Sequence, residues 1–496
     1  MRSKADAAPP KGSWQELLGR EHRSVTLVLS GGVALYAVNV YLTTSLLPSA
    51  VGEIGGRSLY AWAMTAFLVA SVFTSMLVSR TVTRRGPRQA YWIGLALFGA
   101  GSVVGAIAPT MPVLLGGRVL QGLGGGLLAG LGFAVVRQAL PDHLWQRALG
   151  LMSAMWGFGN VVGPIIGGLF AEFGLWRLAF VLLAASAGGV AVVVGRSLPR
   201  RAPDGGSSGT AASDRVPVLA LALLSLGAAA VSVASVVSGR GLSIALIIAA
   251  GLFVVGFILR ERRAATTVLP AITYRRGSAL TWIYLAVALL AVGSTVETFL
   301  PLFGQQIGGL SPLLAGLLGA SLSWGWSVSQ ILSSGITGVR GARLQRIAGP
   351  ALLGAGLAIY GLLQVADPGP GRVVAWFAVL FVAGSGIGMA FAHWVPAAMR
   401  ITPDPAEASK ASAGVNTTQL ISNAFGSALA GLLVQIGGPG VLGSARLLSG
   451  GYAALCLVGV AVTVLAIGAE RSNAKKLITE GSSDDLESDL RSDIVG

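Results

Sequence analysis

Two ionisable side chains sit where water is scarcest. Arg118 lies in "LLGGRVLQGLGGG" (114–126) and Glu297 in "STVETFLP" (294–301), each within a long apolar run. A charge at the centre of a membrane helix costs about 3 kcal/mol on insertion scales, so each is a functional candidate by default. Glu297 is the one carboxylate placed well inside such a run, and a carboxyl there can alternate between charged and protonated forms, as a proton carrier must. Its alternative reading is a glutamate near an outer mouth that reaches water. Arg118 either serves proton movement or is a structural arginine bonded to helix carbonyls and Asn39. His393, in "AFAHWVPAAM", can titrate near neutrality, or it packs as a hydrogen-bonded histidine. Asn416, Gln419, Asn423 and Ser427 recur at helical spacing as one polar face. With Asn39, Gln121, Trp324, Trp326 and Gln330 they could line a cavity for amphipathic cargo; bonding between helices explains the same stripe. A single cysteine, Cys456, and the lack of a His/carboxylate cluster argue against a metal centre or acyl transfer. No G-x-x-x-x-G-K-[ST] loop occurs, so ATP is not the expected drive, and no cofactor is expected.

The elements that must position these residues are membrane helices. The chain is 53% apolar and 11% charged, with 71 glycines in 496 residues; a soluble domain carries about 25% charged residues. Runs near the ~20 residues needed to span a bilayer number fourteen: 25–49, 58–80, 89–108, 111–137, 147–171, 174–194, 216–237, 241–260, 278–303, 311–338, 347–367, 371–397, 411–436 and 444–470. With the N-terminus cytoplasmic, 29 of the 35 Lys and Arg fall in inside segments or at the span ends beside them, five fall outside on the same count and Arg118 lies deeper within a span. That bias places both termini in the cytoplasm. It also assigns the net charge of +15 to one leaflet of a cell membrane, where anionic lipids sit, rather than to nucleic acid.

The expected fold is thus all-α, with 14 transmembrane helices in two six-helix pseudo-repeat bundles plus two inserted helices. Residues 1–24 form a cytoplasmic arm and 25–194 the first bundle. A linker, 195–215, precedes the inserted pair and its basic loop, 216–276; the second bundle is 277–470 and a disordered acidic tail 471–496. A weak internal repeat, "SRTVTRRGPRQ" (79–89) against "TGVRGARLQR" (337–346), supports two related halves, as in transporters that rock about a midplane site.

"GFGNVVGPIIGGLF" (157–170) concentrates helix breakers in a span. Gly159, Gly163 and Gly167 recur every four residues and make one flat face that a neighbouring helix can approach closely. Pro164 cannot bond the carbonyl of Asn160, so the helix can bend there. This suits either a moving interface between halves or static packing.

This motif, with "LLGGRVLQGLGGG", "LWRLAF" (175–180), "FLPLFGQQIGGLSPLLAG" (299–316) and the 6+2+6 layout, resembles the major facilitator superfamily, specifically its fourteen-span drug:proton antiporter branch. The resemblance covers nearly the whole chain. It implies a secondary active exporter of amphipathic organic compounds, driven by protons through alternating access, and not an enzyme. It links Arg118 to proton movement and makes the loop holding Arg84, Arg85, Gly86 and Arg88 a cytoplasmic gate. Two family carboxylates are absent: Thr83 stands at the loop's Asp and Asn39 at the Asp of the first span. Coupling must therefore lie elsewhere or be missing, and the three arginines remain able to hold lipid phosphates. An exporter of an endogenous lipid or cell-envelope precursor is the alternative. Expected partners are a lipophilic or amphipathic small molecule or lipid, protons and anionic lipids; no residue pattern points to a protein partner.

Overall fold

The structure, a computed structural model, describes residues 13–198, 218–237, 239–264, 267–275, 277–336, 338–402, 404–438 and 440–480, and they contain helices and no strands. The chain divides into two compact units, one of residues 1–56 and 69–216, the other of 57–68 and 217–496. Most of the expected linker (199–215) and the tail beyond residue 480 lie outside the described residues.

The first unit contains α1 (Trp14–Leu17), α2 (Arg23–Ile54), the second part of α3 (Tyr60–Ser75), α4 (Val78–Ala106), α5 (Met111–Ala139), α6 (Trp145–Glu172) and α7 (Trp176–Ser197). Its main pairings are α2 with α6 and α4 with α5. Both depend on glycine, because the backbones come too close for side chains. A Cβ at Gly101 of α4 would stand 2.5 Å from the Gln121 nitrogen of α5. Gly86, at φ +78°, interrupts α4 in a conformation that L side chains rarely adopt, and Pro87 starts the helix again.

The second unit contains the start of α3 and then α8 (Val218–Ala234), α9 (Arg240–Glu261), α10 (Ala279–Ser294), α11 (Leu300–Gln306), α12 (Pro312–Ser333), α13 (Val339–Leu363), α14 (Pro370–Met399), α15 (Pro405–Ile436) and α16 (Val441–Glu480). The inserted pair α8 and α9 packs together and leans on α15 through α8. Ala220, Leu224 and Phe257 form a small core there, with Ile421 and Phe425 against it. At one end of this unit Arg346 of α13 grips Glu470 of α16 through two hydrogen bonds of 2.6 and 3.0 Å and lies over the Trp394 ring of α14. Helix α16 runs ten residues past the boundary expected at 470.

Among the described residues, twelve helical segments are long and apolar enough to cross a membrane. Helix α8, at 17 residues, is apolar but shorter, and α12, at 22 residues, is not among the twelve. The reason for the second lies in "SLSWGWSVSQ", whose serines dilute the apolar run. The stretch read as one span over 278–303 is broken. It forms α10, a 3-10 turn over Thr295–Thr298, and α11. Pro301 has no N–H for the Glu297 carbonyl and its ring crowds that oxygen, so the α-helix ends before it.

Candidate functional site

Among the described residues, a buried polar cluster around one of the two sequence candidates lies in each unit. In the first, α5 begins at Met111, with Pro112 in its first turn, and brings Arg118 and Gln121 round to one face, three residues apart. Arg118, Gln121 and Asn39 are all fully buried. Arg118 Nη1 donates to Gln121 Oε1 at 2.8 Å, Asn39 Oδ1 at 3.0 Å and Thr43 Oγ1 at 3.2 Å. Gln121 Nε2 in turn donates to Ser102 Oγ of α4 at 2.9 Å. The close approach of α4 and α5 at Gly101 is what lets so short a side chain reach. The acceptors around Nη1 are neutral amides and a hydroxyl, so the arginine ties α2 and α5 together around a fixed positive charge. The expected bond to Asn39 is present; Thr43, four residues after Asn39, shares its helix face but was not singled out, and nothing in the spacing of Ser102 aims it at Gln121.

Removing the guanidinium would leave the buried Gln121 Oε1 without this donor, at about 1–3 kcal/mol, while Asn39 and Thr43 keep only their bond to each other. We expect Arg118→Ala to lose transport and much of the folded yield. Arg118→Lys should recover only part of both, because an ammonium is more strongly hydrated and lacks the planar fork. Transport rates and yields of the purified variants check this, and full activity of the lysine variant would reduce Arg118 to a point charge.

In the second unit, the 3-10 turn carries Glu297 toward α12. Glu297 is half-buried, and both of its carboxylate oxygens lie within hydrogen-bond distance of Ser323 Oγ, at 2.9 and 2.8 Å. Nearby, Thr295 Oγ1 meets the Tyr452 hydroxyl of α16 at 3.0 Å, and Tyr452 donates to the Gly426 carbonyl of α15 at 2.6 Å. Around the turn stand Tyr60, Phe299 and Phe303, with ring centroids 4.9 and 6.0 Å apart in succession. A carboxyl held by a hydroxyl can exchange a proton, and aromatic rings of the same unit can attract a lipophilic cation.

The remaining candidates are spread out. Trp326 donates to Gln330 Oε1 at 2.8 Å and packs on Phe391, whereas Trp324 is half-buried and Gln330 exposed on the same helix. On α15, Asn416 is exposed and Gln419 and Asn423 half-buried. Ser427, in that stripe, accepts from Thr65 at 3.2 Å, so one member is used for packing. His393 is buried and bonds Gln345 at 2.8 Å. Arg84 and Arg85 are exposed, and Arg88 stacks over Trp92 at 4.8 Å. The "LWRLAF" stretch works as a clasp. Trp176 donates to Glu53 at 2.6 Å, and Arg177 bonds both Glu53 and the Ala108 carbonyl, joining the ends of α2, α4 and α7.

The glycine face of α6 meets α2 of the same unit. A Cβ on Gly159 would stand 2.6 Å from Ala37 Cβ, one on Gly163 2.7 Å from Tyr41 Cβ, and one on Gly167 would overlap the Leu42 carbonyl. The stripe is therefore spent on packing inside the first unit, and α6 remains one helix through Pro164.

Residues 29–406 match the family model described as Major Facilitator Superfamily. The chain is 41% identical over 467 residues to a protein of Mycobacterium tuberculosis described as a probable multidrug-efflux transporter, covering 94% of this chain and 99% of the relative. It is 24% identical over 381 residues to the multidrug transporter protein MdtP of Bacillus subtilis, covering 75% and 68%. The crystal structure of a D-xylose–proton symporter superposes with a TM-score of 0.61 over 90% of this chain and 97% of that one; at 16% identity this likeness speaks for the fold alone.

Proposed function

The chain belongs to the major facilitator superfamily, a transport protein and not an enzyme, and from that premise we propose that it exports amphipathic organic compounds from the cell in exchange for protons. The end-to-end similarity to a probable multidrug-efflux transporter supports the cargo class. The observation that carries the coupling is Glu297, a carboxyl set in an interrupted membrane helix and held by the Ser323 hydroxyl. In the cycle we infer, Glu297 takes a proton from outside, which removes its charge, and gives it up to the more alkaline cytoplasm, where a cationic cargo favours the charged form. Arg118 supplies a fixed positive charge in the other unit. One proton moving through ~150 mV yields roughly 3.5 kcal/mol, enough for a cargo gradient of a few hundred-fold.

In this reading α8 and α12 join the twelve longer segments to make fourteen spans, and the two units work by alternating access. Both termini lie in the cytoplasm and the protein sits in the plasma membrane. Arg84, Arg85 and Arg88 then meet anionic lipid phosphates, with Trp92 at the interface beside them. An exporter of an endogenous lipid or cell-envelope precursor is the second reading, favoured by the neutral Asn39 and Thr83.

The test is a panel of dyes and lipids in everted vesicles, with and without an imposed pH gradient. Dye accumulation that collapses with the gradient is the expected result. Accumulation indifferent to the gradient would remove the antiport, and movement of lipid alone would favour the second reading.

A further inference from the structure

We propose that Ser323 of α12 is a positioning residue of the transport cycle, whose hydroxyl holds the Glu297 carboxyl in both of its protonation states; the inference rests on the reading of Glu297 as the proton carrier. Serine inside a helix ordinarily turns its hydroxyl back to a carbonyl three or four residues earlier. On the same helix, Ser321 does so to Leu318 at 2.6 Å and Ser329 to Trp326 at 3.1 Å. Ser323 instead reaches across to Glu297, within 2.9 Å of both oxygens. It is 1% exposed, so the hydroxyl's side of the bond is shielded from competing water, where a hydrogen bond weighs more.

A hydroxyl suits this task because it both donates and accepts. Facing a charged carboxylate, the Ser323 O–H donates. When the carboxyl takes up a proton, its own O–H donates to Ser323 Oγ, and the serine proton turns to a carbonyl one turn back, the arrangement Ser321 and Ser329 already adopt. An arginine or lysine in this place would hold the carboxylate charged, and an alanine would leave it without a donor. The same face of α12 also meets the break in the helix. Gly319, four residues before Ser323, is where the Pro301 ring packs, and a Cβ there would stand 3.2 Å from Pro301 Cγ. One face of α12 therefore touches the proton site and the proline that interrupts its helix. Of the helices packed against this turn, α16 presents Tyr452, whose hydroxyl is engaged with Thr295 and Gly426. Among the described residues, no charged side chain from α10, α11, α12, α15 or α16 is bonded to Glu297.

The experiment is an infrared titration of the carboxyl C=O band in the purified full-length protein, which needs no cargo. It is paired with ethidium exchange and pH-driven ethidium uptake in vesicles. A titrating band lost in Glu297→Gln identifies the carboxyl. Ser323→Ala is expected to move that band to higher frequency, and to displace its midpoint and the uptake profile by about one pH unit toward alkaline pH, since a hydrogen bond to a charged group is lost. Ethidium exchange stays within about twofold of wild type, and Ser323→Thr, which keeps the hydroxyl, restores both readouts. An unmoved band and profile in Ser323→Ala overturn the inference while leaving Glu297 in place. Loss of exchange together with uptake also overturns it, because it marks a packing role. If Glu297→Gln removes no titrating band, the proton-carrier reading falls, and this inference with it.

Discussion

Glu297→Gln is expected to abolish uphill export while cargo still binds and exchanges. Glutamine preserves the shape of the side chain and can still hydrogen-bond Ser323, whose hydroxyl lies within 2.9 Å of both oxygens in the native protein. It cannot take or release a proton. The carrier then has no way to tie cargo movement to the proton gradient, and a gradient of a few hundred-fold should collapse to near unity, the loss of roughly 3.5 kcal/mol of drive. Exchange, which needs only reorientation with cargo bound, remains. Glu297→Asp keeps a titrating group but withdraws it by one methylene, so some activity with a displaced pH profile is expected. Vesicle accumulation with and without a pH gradient, alongside counterflow exchange, measures both. Normal uphill transport with normal pH dependence in the glutamine variant would sink the assignment and make His393 the next residue to test.

The second large effect falls on folding. Gly163→Leu is expected to remove most of the folded protein, because the space the new side chain would enter is already filled by backbone. A Cβ alone would stand 2.7 Å from Tyr41 Cβ and 3.0 Å from both the Leu42 nitrogen and the Val38 oxygen of α2. Overpacking in a core costs about 1–3 kcal/mol when side chains can move aside. Here backbone atoms face the intrusion, and three further carbons follow the first, so α2 and α6 must separate. Gly157 supplies the control: it lies in the same motif with nothing within 4 Å of an added Cβ, and Gly157→Ala should express and unfold like the native protein. Size-exclusion yield and the thermal unfolding midpoint decide the matter. A well-folded Gly163→Leu that fails only in transport would return this glycine face to a moving interface.

The glycine face shows where the amino-acid order stopped being informative. The order of residues was enough to indicate a membrane-embedded, all-helical protein, because hydropathy and span length are local properties that any sufficiently apolar run carries with it; that it is a transporter came from the resemblance of its motifs to a known family. It also singled out Arg118 and Glu297, since an ion in an apolar run stands out without knowledge of its neighbours. The bond from Arg118 to Asn39 was legible for the same reason, as both are polar residues within spans. Which surfaces meet was not. The glycine spacing in α6 guarantees a flat face but is silent about its neighbour, and the tertiary structure supplied α2. The break at Thr295–Thr298 was half legible: Pro301 announces a disruption, but the length of the turn and the direction it gives Glu297 depend on α12 packing against it. Ser323 was not legible at all. A serine in a helix bonds its own backbone by default, and only the arrival of Glu297 from a segment 26 residues earlier turns its hydroxyl outward. Local chemistry decides which groups must find partners, and long-range packing decides which partners they find.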